Sequence, residues 1–415
     1  MIAPTIDARR VLADLRELER RTGGPDGARR VCWGEDWRAG RELLGELLAE
    51  IGLEAERDPA GNLWAFLGGD AEPALAVGSH LDSVPAGGWL DGAYGAMAAV
   101  GVLRSWAESG ERPPRTLALV DWADEEGARF GRSLFGSSAF SGSLDPGELV
   151  GLRDHEGREI AAVLVENGVE LARAGEAAAG QARVAACLEL HIEQGPVLER
   201  DRVTAAAVSG CAGVERLRFA FRGQAAHAGT TPMDGRRDAG LAAAEAALAI
   251  ECIPATEGGV ATTGELELRP GVPTAVAGEA ILACDLRHPE SGALARMLGA
   301  AREACETAAT RRDCVFGERP VWRIEPIDFD PELVDLARRA CLAVTGADRL
   351  LASGALHDAA EVARVRPAAM IFCPSTAGIS HAREEDTPRD ALIAGIEAFG
   401  LLVNRALESS QLARK

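Results

Sequence analysis

The feature that most constrains this chain occurs four times: a short apolar run that stops at a cluster of acids and histidines. Pro73–His80 (PALAVGSH) leads into His80 and Asp82, and Thr116–Trp122 (TLALVDW) into Asp124, Glu125 and Glu126. Ala186–Ile192 (ACLELHI) carries His191 near its end, and Ala368–Cys373 (AAMIFC) is followed by PSTAGISH with His381. Runs of this length and composition read as buried strands. Polar residues crowding the point where such strands stop mark the carboxyl edge of an open α/β sheet, where sites form. Asp91 opens a Gly/Ala-rich helical segment, DGAYGAMAAVGVLRSWAESG, at the end where the helix dipole favours an acid.

The middle of the chain reads differently. Val214–Phe221 (VERLRFAF) alternates like a half-buried strand, and Arg236–Cys252 is an Ala-rich helix. Strands are expected at Val260–Leu268 and Ala280–Arg287, a helix at Gly292–Thr310 and a last strand at Val315–Ile324. The order β-α-β-β-α-β is ferredoxin-like. A chain of 415 residues also exceeds one ordinary core. The expected fold is therefore an α/β catalytic domain with a mixed central sheet flanked by helices, in two parts (1–211 and 328–415). A ferredoxin-like α+β domain (212–327) is inserted between them.

Composition removes several chemistries. The sole lysine is Lys415, so Schiff-base and pyridoxal chemistry and a Walker-type phosphate loop lack their positioned lysine. A formal net charge of −20 would repel a phosphate backbone, so no nucleic-acid partner is expected. Nine cysteines, odd in number and never spaced CxxC, point to reduced thiols rather than disulfides or a thiolate cage. The longest apolar stretch, Gly95–Ala107, is interrupted by Gly and Arg and is short of a membrane span. The N-terminus alternates charge with Leu and has no apolar signal core, so a cytoplasmic enzyme without a membrane partner is expected.

The ionisable groups at the strand ends, His80, Asp82, Asp91, Glu125, Glu126, His191 and His381, combine imidazole with carboxylate. That donor set suits Zn, Mn, Co or Ni, and the lack of nearby Cys disfavours a structural zinc site. One bridging carboxylate, with a further ligand pair on each side, would hold two ions. Such a pair acidifies a shared water and polarises the carbonyl it attacks. Of the adjacent Glu125 and Glu126, one can ligate while the other takes the proton. His155 and His288 read as surface residues, and His357 as near the site.

These segments resemble a known family. GSHLDSVPAGGWLDGAYG, DEEGARFG, ELHIEQGPVLE, GQAAHAGTTPM and PSTAGISHAREE are similar to signatures of the metal-dependent N-carbamoyl-L-amino-acid hydrolases and allantoate amidohydrolases, a branch of the aminoacylase/carboxypeptidase-like metallohydrolases. The resemblance implies a metallopeptidase-like catalytic domain and an inserted dimerisation or lid domain. It implies metal ligation by His80, Asp91 (bridging), Glu126, His191 and His381, with Asp82 orienting His80 and Glu125 as general base. It also implies that His227 reaches the active site of the other subunit of a homodimer to stabilise the oxyanion, and that Arg287 clamps the substrate carboxylate. Gln194, Gly378 and Ser380 would complete the pocket, and Thr274 would contact substrate.

The expected reaction is C–N cleavage in a small anionic ureido or N-carbamoyl metabolite, such as an N-carbamoyl-L-amino acid, allantoate or ureidoglycolate. An N-acyl-amino-acid deacylase or dipeptidase of the same architecture is the alternative, and a non-catalytic binding protein a remoter one. Three positions depart from the family pattern: Thr274 where Asn is usual, Leu356 where Gly is usual, and Ala86 where Asn is usual. A pocket that loses a hydrogen-bonding amide changes which ligands it rejects.

Overall fold

The computed structural model describes residues 3–409, so Lys415 lies outside the described residues. The chain divides into two compact units, Met1–Gly210 with Asp328–Lys415, and Cys211–Ile327.

The first unit is built on a nine-stranded sheet. Four of its neighbours are parallel, in the order Ala368–Cys373, Val184–Ile192, Ala74–His80, Leu117–Trp122. These strands contain the four apolar runs, and every residue in them is buried. Burial on both faces explains why they lack polar alternation. Antiparallel strands flank the four: Leu63–Leu67 beside Leu117–Trp122, and Ala206–Cys211 beside Ala368–Cys373. The sheet is therefore mixed, with helices packed against it. Parallel pairing sets His80 beside Trp122 and His191 beside Phe372, so the four carboxyl ends share one edge.

The helix behind Asp91 runs Ala93–Ser109 and is buried from Ala93 to Arg104. Its small residues allow close approach to the sheet: a Cβ on Gly95 would lie 2.1 Å from the Leu190 carbonyl oxygen. Asp91 itself stands two residues before the helix. Gly92 occupies the N-cap with φ of 63°, where a Cβ would meet the His80 ring at 2.4 Å. Both the backbone and the space there require glycine. At the N-terminus, Asp7 caps the Ala8–Thr22 helix by accepting from the Arg9 and Arg10 amides.

The second unit is a four-stranded antiparallel sheet in the order Val260–Arg269, Glu279–His288, Gly213–Arg222, Val315–Ile324. Helices Ala239–Cys252 and Ser291–Arg311 pack on it, giving the ferredoxin-like arrangement. Phe219, Phe221, Leu282, Leu286, Ile250 and Met297 form its core. The stretch Ala239–Glu257 is long and apolar enough to cross a membrane, with mean hydropathy 1.3. Its Ala242, Ala243, Ala246 and Ile250 enter this core instead. His155 is exposed, as expected of a surface residue, but His288 is buried, because it falls on the inward face of the Glu279–His288 strand; its Nδ1 accepts the Glu290 amide at 2.9 Å. Cys32, Cys187, Cys252, Cys284, Cys305, Cys314, Cys341 and Cys373 are free thiols.

Candidate metal centre

At the shared carboxyl edge the five expected ligands converge. Asp91 lies between two groups that could each hold an ion: His80, Asp91 and His191, and Asp91, Glu126 and His381. Its Oδ1 is 3.1 Å from His191 Nε2 and 3.7 Å from His80 Nε2. Its Oδ2 is 3.2 Å from His381 Nε2, which is itself 3.4 Å from Glu126 Oε2. One carboxylate thus faces two separate ligand groups.

The strand ends also decide the histidine tautomers. His191 Nδ1 lies 2.9 Å from the Ile192 carbonyl, and His80 Nδ1 lies 3.1 Å from the Asp82 carbonyl. Only a protonated nitrogen meets a carbonyl oxygen productively, so both rings direct Nε2 into the cluster. The Asp82 carboxylate is farther from His80 Nδ1, at 3.5 Å. It accepts instead from the amides of Glu125 (3.3 Å) and Glu126 (3.1 Å), which fixes the loop presenting both acids. That loop begins at Asp124, whose positive φ of 58° turns the chain and whose Oδ2 accepts the Trp33 indole N–H at 3.0 Å.

Charge in this cluster is strongly perturbed. Burial pushes the Glu125 carboxyl well above its usual range, and burial together with Asp91 pushes Glu126 up to about 7. Burial would also raise Asp91, but hydrogen bonds from His191 and His381 hold it well below the carboxylate range. The bond to Asp91 lifts His381 to about 9. Burial opposes charge on His80, yet Glu125 and Asp82 carry its imidazole well above its ordinary value. Buried carboxylates crowd around these imidazoles, a negative charge that a bound cation would offset. Glu126 Oε1 is buried without a hydrogen-bond partner. A convergent set of carboxylates and imidazoles with an orphaned oxygen fits a divalent ion.

The smaller expectations are distributed as follows. Gln194 Nε2 donates to Asp91 Oδ2 at 2.8 Å, and Ser380 Oγ lies 3.1 Å from the same oxygen. Gly378, at φ 66°, lets its turn pack against Pro196. His357 is buried with its ring 4.5 Å from that of His191, and its Nε2 lies 3.0 Å from Ser353 Oγ. In the second unit, His227 pairs with Ala275 in a two-residue ladder, and the adjoining Ala228 amide donates to the Thr274 carbonyl at 2.9 Å. Arg287 lies near the opposite end of the Glu279–His288 strand, its Nε donating to Asp285 Oδ1 at 2.7 Å.

Three buried residues escaped the sequence reading. Glu189 accepts from Ser79 Oγ (2.7 Å) and from the Ala359 amide (2.9 Å), and groups with His191 and His357. A lone acid two residues before His191 in an otherwise apolar strand was its signal. Glu385 bonds to both the Asp91 and His381 segments. Arg30 is fully buried and donates to neutral oxygens, the Leu81 carbonyl at 2.7 Å and Thr22 Oγ1 at 3.4 Å. Nothing in its local sequence separates it from the neighbouring Arg29.

Known proteins are similar to this chain over most of its length. Residues 76–405 match Peptidase family M20/M25/M40. An N-carbamoyl-L-amino-acid amidohydrolase of Paenarthrobacter aurescens is 34% identical over 405 residues, covering 97% of this chain and 98% of that protein. An allantoate amidohydrolase of Bacillus subtilis is 30% identical over 383 residues, covering 90% and 91%. The crystal structure of an amidase of the hydantoinase/carbamoylase family from Burkholderia multivorans superposes with a TM-score of 0.88 at 32% identity, covering 96% of this chain and 98% of that one. With the strands that carry His80 and His191, the connecting loops and the inserted unit all spanned by these matches, the chain belongs to the M20/M25/M40 family, in its branch of N-carbamoyl-L-amino-acid and allantoate amidohydrolases.

Proposed function

We propose that this protein hydrolyses a C–N bond in a small, carboxylate-bearing ureido or N-carbamoyl compound, using two divalent ions, Zn or Mn before Co or Ni. The observation that carries this reading is Asp91, whose two oxygens face separate ligand groups, His80 with His191 and Glu126 with His381. When bound, such ions acidify water and polarise a carbonyl.

The chain's own residues account for the rest. Glu125, buried with its Oε2 3.8 Å from His80 Nε2, takes the proton of the attacking water and returns it to the leaving nitrogen. Asp82 holds the backbone of Glu125 and Glu126 so that they keep separate tasks. Gln194 fixes the bridging carboxylate. Arg287 pairs with the substrate carboxylate as a planar fork, and His227 donates to the developing oxyanion.

The second unit also bears on assembly. Arg287 and Glu279 stand eight residues apart on one strand, which is about 26 Å at the usual rise. His227 pairs beyond the Glu279 end, opposite Ala275. A small substrate that touches both side chains therefore takes one of them from a second copy, which favours a homodimer with shared sites. The buried free thiols of Cys32, Cys187, Cys284, Cys305, Cys341 and Cys373 favour a reducing, cytoplasmic setting.

The test is ammonia release, with Mn or Zn supplied, across allantoate, ureidoglycolate and a series of N-carbamoyl-L-amino acids. Release from one of them, abolished by a chelator and restored by metal, is expected. Silence on this panel, with turnover of N-acetyl amino acids or dipeptides by the same metal-loaded protein, would overturn the reading. It would favour the deacylase alternative, for which Thr274 and the half-buried Leu356 are the motivating departures.

A further inference from the structure

Glu385 is 1% exposed and sits four residues after His381, yet its carboxylate spans two distant segments. Oε1 accepts the amides of Leu90 at 3.1 Å and Asp91 at 3.0 Å. Oε2 accepts Ser380 Oγ at 2.7 Å and the His381 amide at 3.3 Å. One side chain therefore ties the backbone of the bridging carboxylate to the backbone of a terminal imidazole. The fold makes room for it: a Cβ on Gly88 would lie 2.0 Å from Glu385 Oε1.

His381 needs such a tether more than the other ligands do. His80 and His191 stand at the ends of buried strands, and their side chains are almost fully enclosed. His381 lies in a loop, has a side chain 49% exposed, and holds a left-handed backbone with φ of 56°. That conformation is unfavourable for a residue with a Cβ and persists where the surroundings enforce it.

We propose that Glu385 is a positioning residue that clamps the His381 side of the metal centre, setting the reach between Asp91 and His381 without touching an ion. This inference rests on the two-ion reading given above. A glutamine at 385 separates the two halves of the clamp. Its single acceptor oxygen can keep the Leu90 and Asp91 amides. Its amino group can donate to Ser380 Oγ, but then faces the His381 amide donor to donor. E385Q should therefore loosen His381 while leaving Asp91 seated.

The experiment titrates ion-free, full-length protein with CoCl2, following visible absorption and, separately, metal content. It compares wild type, Glu385→Gln, His381→Ala and His191→Ala. E385Q is expected to reproduce the profile of H381A rather than that of H191A. The ion lost in H381A should be weakened by about 10–100-fold, the usual effect of removing an outer partner of a ligand. The other ion should keep its wild-type affinity.

Gly88→Ala presses on Oε1, which holds the Leu90 and Asp91 amides, and so frees both halves of the clamp with its charge intact; it predicts weakening of both ions and covers an E385Q that does not fold. Wild-type profiles in both variants, or loss of both ions in step in E385Q, would overturn the clamp. A wild type that takes up a single equivalent overturns the two-ion reading instead, and this is read before any variant is compared.

Discussion

The buried pair Arg41–Asp121 offers the sharpest test of how the scaffold holds the site. Arg41 Nε is 2.6 Å from Asp121 Oδ2, and the two side chains are 2% and 0% exposed. The guanidinium also donates to the Gly61 carbonyl at 2.6 Å and the Asp121 carbonyl at 3.1 Å, and lies 4.0 Å over Trp37. Asp121 Oδ1 accepts the amide of Leu81, the residue between His80 and Asp82, at 2.8 Å.

Replacing Arg41 with Met keeps most of the stem volume but leaves a buried carboxylate with that one amide. Breaking a buried pair in this way costs about 3–5 kcal/mol. Adding Asp121→Asn removes the stranded charge and preserves an acceptor for Leu81. What remains lost is mainly the two bonds to carbonyls, about 1 kcal/mol each. The double variant should therefore be more stable than R41M alone, by roughly 1–3 kcal/mol from these values.

The pH dependence has a definite sign. Burial raises the Asp121 carboxyl and Arg41 lowers it, so R41M moves it further up. A carboxyl whose folded pKa exceeds its unfolded value stabilises the fold below the unfolded pKa, and that contribution is lost as pH rises through the folded pKa. The R41M deficit should grow from pH 5 to pH 8, while the double variant stays flat over this window. Urea unfolding of ion-free protein, followed by tryptophan fluorescence, measures both. A double variant no more stable than R41M, or an R41M deficit that ignores pH, would refute the reasoning.

Glu125→Gln should retain its full metal content and lose about 10²–10⁴-fold in kcat, the usual contribution of a positioned proton carrier. Metal analysis beside steady-state rates checks this, and near-full turnover would remove Glu125 from the mechanism. The separation of His227 and Arg287 predicts that His227→Ala and Arg287→Ala are each inactive. Mixed under conditions of subunit exchange, they should regain activity, because a hybrid dimer contains one intact site. An exchanged mixture that stays inactive would place both residues on one chain's site.

Much of the centre was legible because its chemistry is written in local sequence. Buried strands of a parallel core must be apolar throughout, so His80, Glu125, Glu126, His191 and His381 stood out where four such runs stopped. Alternation revealed the second unit, because one face of its sheet meets two helices while the other does not. Residue type and spacing therefore set the α/β class, the inserted unit and an imidazole–carboxylate donor set, while the choice of Glu125 over Glu126 as candidate base came from the family resemblance.

Tertiary structure decided what depends on contacts between distant segments. Sequence does not show that the Asp82 carboxylate caps two amides while its carbonyl sets the His80 tautomer. Nor does it show that His288 is buried, since a strand-end histidine looks alike in either setting. Glu385 reads as one more acid in the run HAREED, yet its carboxylate meets amides 294 and 295 residues away. A side chain's partner is set by which strand ends the sheet brings together, and that information resides in pairing, not in composition or period.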